Sequence, residues 1–126
     1  MRGEQDLRQR TKQFALRIIK VYSALPKSTE AQVIGKQVLR SGTSVGAHDR
    51  EATRARSTAE FISKLGGGLQ ELEETTYWLE LLVESGLVKA ARLSELQQET
   101  DELTAIFVAS INTAKRKQQP PSTRQS

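Results

Sequence analysis

Leu7, Thr11, Phe14, Ile18, Val21 and Leu25 recur at alternating four- and three-residue steps. That spacing lines one face of a helix and no face of a strand. The same pattern returns in Ile34, Val38, Ser41, Val45, His48 and Ala52. It returns again from Phe61 through Leu65, Gly68, Leu72, Thr75 and Leu79 to Leu82, and from Leu96 through Thr100, Leu103, Phe107 and Ile111 to Ala114. A second stripe, Ile62, Leu69, Thr76 and Val83, widens the third helix's apolar arc, so that helix should touch more than one neighbour. Four such helices with short connections predict an all-α chain, an up-down-up-down antiparallel four-helix bundle over residues 1–115.

Local signals set the ends. The first helix is predicted over 4–24, stopping where Pro26 disfavours helical geometry for Leu25. Ser28 or Thr29 can cap a second helix from Glu30, and Ser57 with Glu60 has capping-box spacing for the third. Gly86 suits the left-handed position after that helix. The fourth should begin between Lys89 and Ser94, with "SELQ" as a possible second capping box. Residues 116–126 are polar and proline-containing with nothing to bury, and predict a disordered basic tail.

The segment "RSGTSVGAHDREA", Arg40 to Ala52, holds two glycines, three hydroxyl residues and the only histidine. The apolar stripe crosses it without losing phase, which predicts unbroken helix rather than a loop. Of eight glycines, six (Gly35, Gly42, Gly46, Gly66, Gly67 and Gly68) fall inside predicted helices. At about 1 kcal/mol each, they cost about 6 kcal/mol against alanine, comparable to a small domain's net stability. Gly35, Leu39, Gly42, Gly46 and Thr53 share one flank of the second helix. Small residues there let two helix backbones approach closely, within the bundle or between subunits. "GGG" can serve likewise, or can kink the third helix.

Most catalytic classes find no support. There is no cysteine for thiolate chemistry or disulfides, which fits a reducing cytoplasm. No apolar run is long enough to span a bilayer, so no membrane association is expected. His48, Asp49 and Glu51 point in three directions on a helix, so "HDRE" is not expected to hold a metal. A lone histidine cannot supply a di-iron bundle's pairs. Arg40 and His48 have seven residues between them, which does not meet the Arg–His spacing of helical ribonucleases. No nucleophile elbow, phosphate loop or zinc spacing occurs. The expectation is a protein without enzymatic activity and without cofactor.

Charge carries the positive signal. Residues 1–64 hold 13 Lys/Arg against 6 Asp/Glu, whereas residues 65–114 hold 2 against 9. Lys36, Arg40, Arg50 and Arg54 fall on the side of the second helix away from its apolar stripe. Arg10, Arg17 and Lys20 form a basic row on the first. If adjacent, the rows make one cationic strip that would hold nucleic-acid phosphates. No aromatic residue is interleaved, so backbone contact rather than base stacking is expected. The alternatives are ordinary ion pairing on a solvated surface, or a protein-interaction scaffold using the acidic third and fourth helices around Glu73 and Glu80.

The words "RSGTSVGAHDREA", "EFISKL" and "ETTYWLELLVESGLV", in that order, give the chain a likeness over residues 7–115. It resembles the bacterial four-helix bundle family that includes proteins encoded in intervening sequences of large-ribosomal-RNA genes. That family is related to accessory variability determinants of diversity-generating retroelements. The resemblance implies a bundle with a continuous second helix, assembled as a ring-like homopentamer, with no known enzymatic activity. It further implies binding of RNA or DNA and of a reverse transcriptase. The chain departs from the family pattern at Gly66–Gly68, where larger residues are usual, and at His48, where Asn is common.

Overall fold

The structure, a computed structural model, describes residues 2–119, with side chains from residue 6 onward. Helix α1 spans Arg2–Ala24, α2 Thr29–Thr53, α3 Thr58–Glu84 and α4 Ala90–Gln118, with no strand among the described residues. Consecutive helices run antiparallel and pack as neighbours, and α1 also meets α4, along a much thinner seam. The segment 40–52 is unbroken α-helix.

The caps follow the expected chemistry with two differences. Ser28 Oγ accepts from the Ala31 amide at 3.3 Å, and Ser57 Oγ from the Glu60 amide at 3.0 Å. The return arm of the Ser57 box goes one residue further out, with the Arg56 amide donating to Glu60 Oε1 at 3.2 Å. Gly86 takes φ 81°, open to glycine without strain. The first difference is at α4, which starts at Ala90 after Lys89, so Ser94 lies inside the helix rather than capping it. The second is at its end. Residues 116–118, expected to be disordered, continue α4, where Lys115, Arg116 and Lys117 sit favourably against the negative end of the helix dipole. The rest of that predicted tail, 120–126, lies outside the described residues.

Phe14, Ile18, Leu65, Leu72, Leu79, Leu103 and Phe107 form the centre of the core, each at most 1% exposed. The buried hydroxyl residues on the stripes are hydrogen-bonded, within a helix or across to the next. Ser41 and Thr75 share a buried hydroxyl contact of 2.8 Å between α2 and α3, and Thr100 donates to the Leu96 carbonyl.

The buried face of α2 is rotated from the apolar stripe. Ala31, Gly35, Gly42 and Asp49 are buried, whereas Ile34 and His48 are only half-buried. The cause is the glycine flank. A Cβ at Gly35 would lie 2.5 Å from Leu25 Cδ1, and one at Gly42 2.7 Å from Ile18 Cγ1. Helix α1 therefore lies on the glycines themselves and pulls that flank into the core, an effect that apolar spacing does not register. The close contact is within the bundle. The "GGG" segment is regular helix, and two of its glycines make room for neighbours. A Cβ at Gly67 would lie 2.7 Å from His48 Cε1, and one at Gly68 2.6 Å from Phe107 Cε2.

Gly66 differs, because a Cβ there would meet nothing within 4 Å. Gly66→Ala should therefore stabilise the protein by about 0.5–1 kcal/mol through helix propensity alone. Chemical denaturation checks this. A destabilised variant would show that another surface covers this position.

Candidate nucleic-acid interface

The contacts of α1 and α2 place every expected cation. Tyr22, Ile18 and Thr11 face Gly35, Gly42 and Gly46 across the seam. With roughly 100° of rotation per residue, Arg8 and Lys12 fall on the outer flank of that seam. Arg10 and Arg17 fall on the opposite flank, toward α4. On α2, Arg50 lies on the flank toward α1, Lys36 and Arg54 fall on the outer side nearly opposite the core, and the flank toward α3 carries Ser41 and His48. Thr11 beside Gly46 puts Arg8 and Lys12 within about a turn of Arg50.

The two predicted rows are therefore not adjacent. Arg10 turns to α4, where Nε donates to Glu99 Oε2 at 3.1 Å and Nη2 to Glu99 Oε1 at 2.6 Å and to Glu102 Oε1 at 3.1 Å. This forked pair bridges the thin α1–α4 seam. Arg40 reaches α3, with Nη1 3.3 Å from Glu71 Oε1 and Nη2 bonded to Glu74. The hydrogen bond to Glu99 raises the Arg10 pKa above its ordinary value against the pull of desolvation, and the bond to Glu74 does the same for Arg40. Both cations are partly neutralised by their partners and are poorly placed to serve phosphates. Lys20 stands apart, beside Lys89 and Arg92 at the far end of the α1–α4 seam.

What remains is a different cationic face. Arg8, Lys12, Lys36, Arg50 and Arg54 make no ion pair among the described residues. Of the three acids of α2, Glu30 stands in its first turn, Asp49 is buried and Glu51 approaches Lys64 of α3 at 3.7 Å. Arg8 and Lys12 were not among the sequence candidates. Their signal was their position beside Thr11, legible only once the side on which α2 lies is known. The topology adds charge at one end, because the start of α1, the α2–α3 turn with Arg56, and the end of α4 with Lys115, Arg116 and Lys117 lie together. The opposite side of the molecule is acidic, with Glu73, Glu80 and Asp101 exposed on α3 and α4.

His48 is a packing residue. Its ring lies over Gly67 and its Cβ against Gly68, with Nδ1 3.7 Å from Glu51 Oε1 and Nε2 3.9 Å from Glu71 Oε2. Among the described residues no group of three or more His, Cys, Asp or Glu could hold a metal, and no helix is long and apolar enough to cross a membrane.

An all-α bundle with one cationic helix pair and one acidic pair is the class of protein that these features define. A family model for the 23S rRNA-intervening sequence protein matches residues 4–109. A crystal structure of a protein of unknown function from the S23 ribosomal protein family of Bacteroides thetaiotaomicron superposes with a TM-score of 0.81 at 36% identity, covering 86% of this chain and 97% of that one. No curated protein matches. The chain belongs to the 23S rRNA-intervening sequence protein family.

Proposed function

We propose that this protein is a non-enzymatic bundle that holds nucleic-acid backbone on the outer face of α1 and α2. The observation that carries the reading is the contrast between two sets of cations. Arg10 and Arg40 have carboxylate partners, whereas Arg8, Lys12, Lys36, Arg50 and Arg54 have none among the described residues. Unneutralised cations in a row release counterions when they meet phosphates, which favours binding without sequence preference. The family's name points to RNA as the context. A homopentameric ring, as the resemblance implies, would repeat the face and multiply weak contacts. A reverse transcriptase as protein partner rests on the resemblance alone.

Filter binding of RNA and of DNA across a salt series tests the reading. Binding should be strong at low salt, similar for unrelated sequences, and fall by roughly a thousandfold between 50 and 200 mM salt if about six phosphates are contacted. Failure to retain either nucleic acid at low salt rejects it.

A second reading has its own observation. Tyr77, about half exposed, stacks edge-on to Trp78 with ring centroids 5.0 Å apart, between Glu73 and Glu80 on α3. Aromatic residues rimmed by charge suit a protein interface. Glu73→Lys with Glu80→Lys should then abolish capture of a host partner while leaving nucleic-acid binding intact.

A further inference from the structure

We infer that the end of the α1–α4 seam binds a small amphiphilic anion, a carboxylate or phosphate carried on a short alkyl chain. The thin contact between α1 and α4 opens there into a cleft of about 620 Å³, within the size range of small-molecule sites. Its apolar lining includes Val21 from the last turn of α1, Leu25 just after that helix, Leu87 from the α3–α4 connection and Leu93 from α4. Leu25 and Leu93 are almost fully buried, so the floor is part of the core rather than a loose surface.

Three cations stand in the same lining, Lys20, Lys89 and Arg92, and no carboxylate does. None of the three makes an ion pair among the described residues. The start of α4 adds to the positive field. Helices α2 and α3 each begin with a serine cap and a glutamate in the first turn, but α4 has neither. The positive end of its dipole and Arg92 therefore repel one another with no acid between them. An anion in the cleft relieves that repulsion, and the leucine floor takes an alkyl chain. The lining has no aromatic ring on which a nucleobase would stack, so a nucleotide fits less well. The site is independent of the α1–α2 face.

Isothermal titration of the full chain with hexanoate, octanoate, octyl phosphate, 1-octanol and inorganic phosphate tests this. Octanoate or octyl phosphate should saturate one site, at least tenfold tighter than octanol or inorganic phosphate. Each added methylene should tighten binding about three- to fourfold while the chain fits. Lys89→Glu with Arg92→Glu, both exposed positions, should weaken octanoate at least tenfold while nucleic-acid binding is unchanged. Equal binding of octanol, equal binding of inorganic phosphate, no saturable binding of either amphiphile, or full binding by the folded double variant would each overturn the assignment.

Discussion

Gly42→Leu should destabilise the protein by on the order of 3 kcal/mol and lower its thermal midpoint by roughly 10–15 °C. Two effects oppose each other at this position. Any side chain restores helix propensity, a gain of about 1 kcal/mol over glycine. Against it, the first atom added lies 2.7 Å from Ile18 Cγ1 and 3.0 Å from both Ile18 Cδ1 and Cγ2. Ile18 is fully buried, so it cannot swing into solvent. Leucine adds three further carbons into the same space, and α1 must lift from α2 to admit them. Overpacking then outweighs propensity. Gly66→Leu is the control, since its space is open. Circular-dichroism melts should separate the two variants widely. Equal melting temperatures would mean that α1 does not rest on the glycine flank.

Arg8→Glu, Arg50→Glu and Arg54→Glu combined should leave the fold intact and weaken nucleic-acid binding more than a hundredfold at low salt. Arg8 and Arg54 are exposed, Arg50 is half-exposed, and none of them has an ion-pair partner among the described residues, so the folded state loses little. Each reversal removes a phosphate contact and adds a repulsion. Reversal of Arg10 and Arg40 should show the opposite pattern. It breaks the bonds to Glu99, Glu102, Glu71 and Glu74, and puts like charges face to face on two seams. That pair should lose stability more than affinity. If both sets reduce binding equally, net charge rather than the α1–α2 face governs it.

The bundle was legible because apolar spacing survives any choice of neighbours. Ile18, Val45, Leu72 and Phe107 lie on stripes that each helix carries by itself, and all four are buried. The candidate interface was less legible for two physical reasons. Apolar spacing treats glycine as neutral, yet Gly35 and Gly42 are where α1 sits, so the buried face of α2 turns toward them and includes Asp49 in place of His48. Helical spacing is also blind to which side the next helix occupies. Arg10 and Arg8 are both off the apolar stripe, but only the packing shows that Arg10 faces the acids of α4 and Arg8 flanks α2. Charge asymmetry between the two halves of the chain was visible throughout. Which cations keep carboxylate partners depends on contacts far apart in sequence, such as Arg40 with Glu74.

The most direct test is the slope of log Kobs against log salt for a short RNA duplex, measured for the parent protein and for Arg50→Ala. Loss of one phosphate contact should make the slope shallower by about 0.9 with the fold unchanged, and Arg40→Ala should shift it far less. Slopes that are identical for the parent protein and Arg50→Ala, or an affinity indifferent to salt, would contradict a phosphate-holding face on α1 and α2.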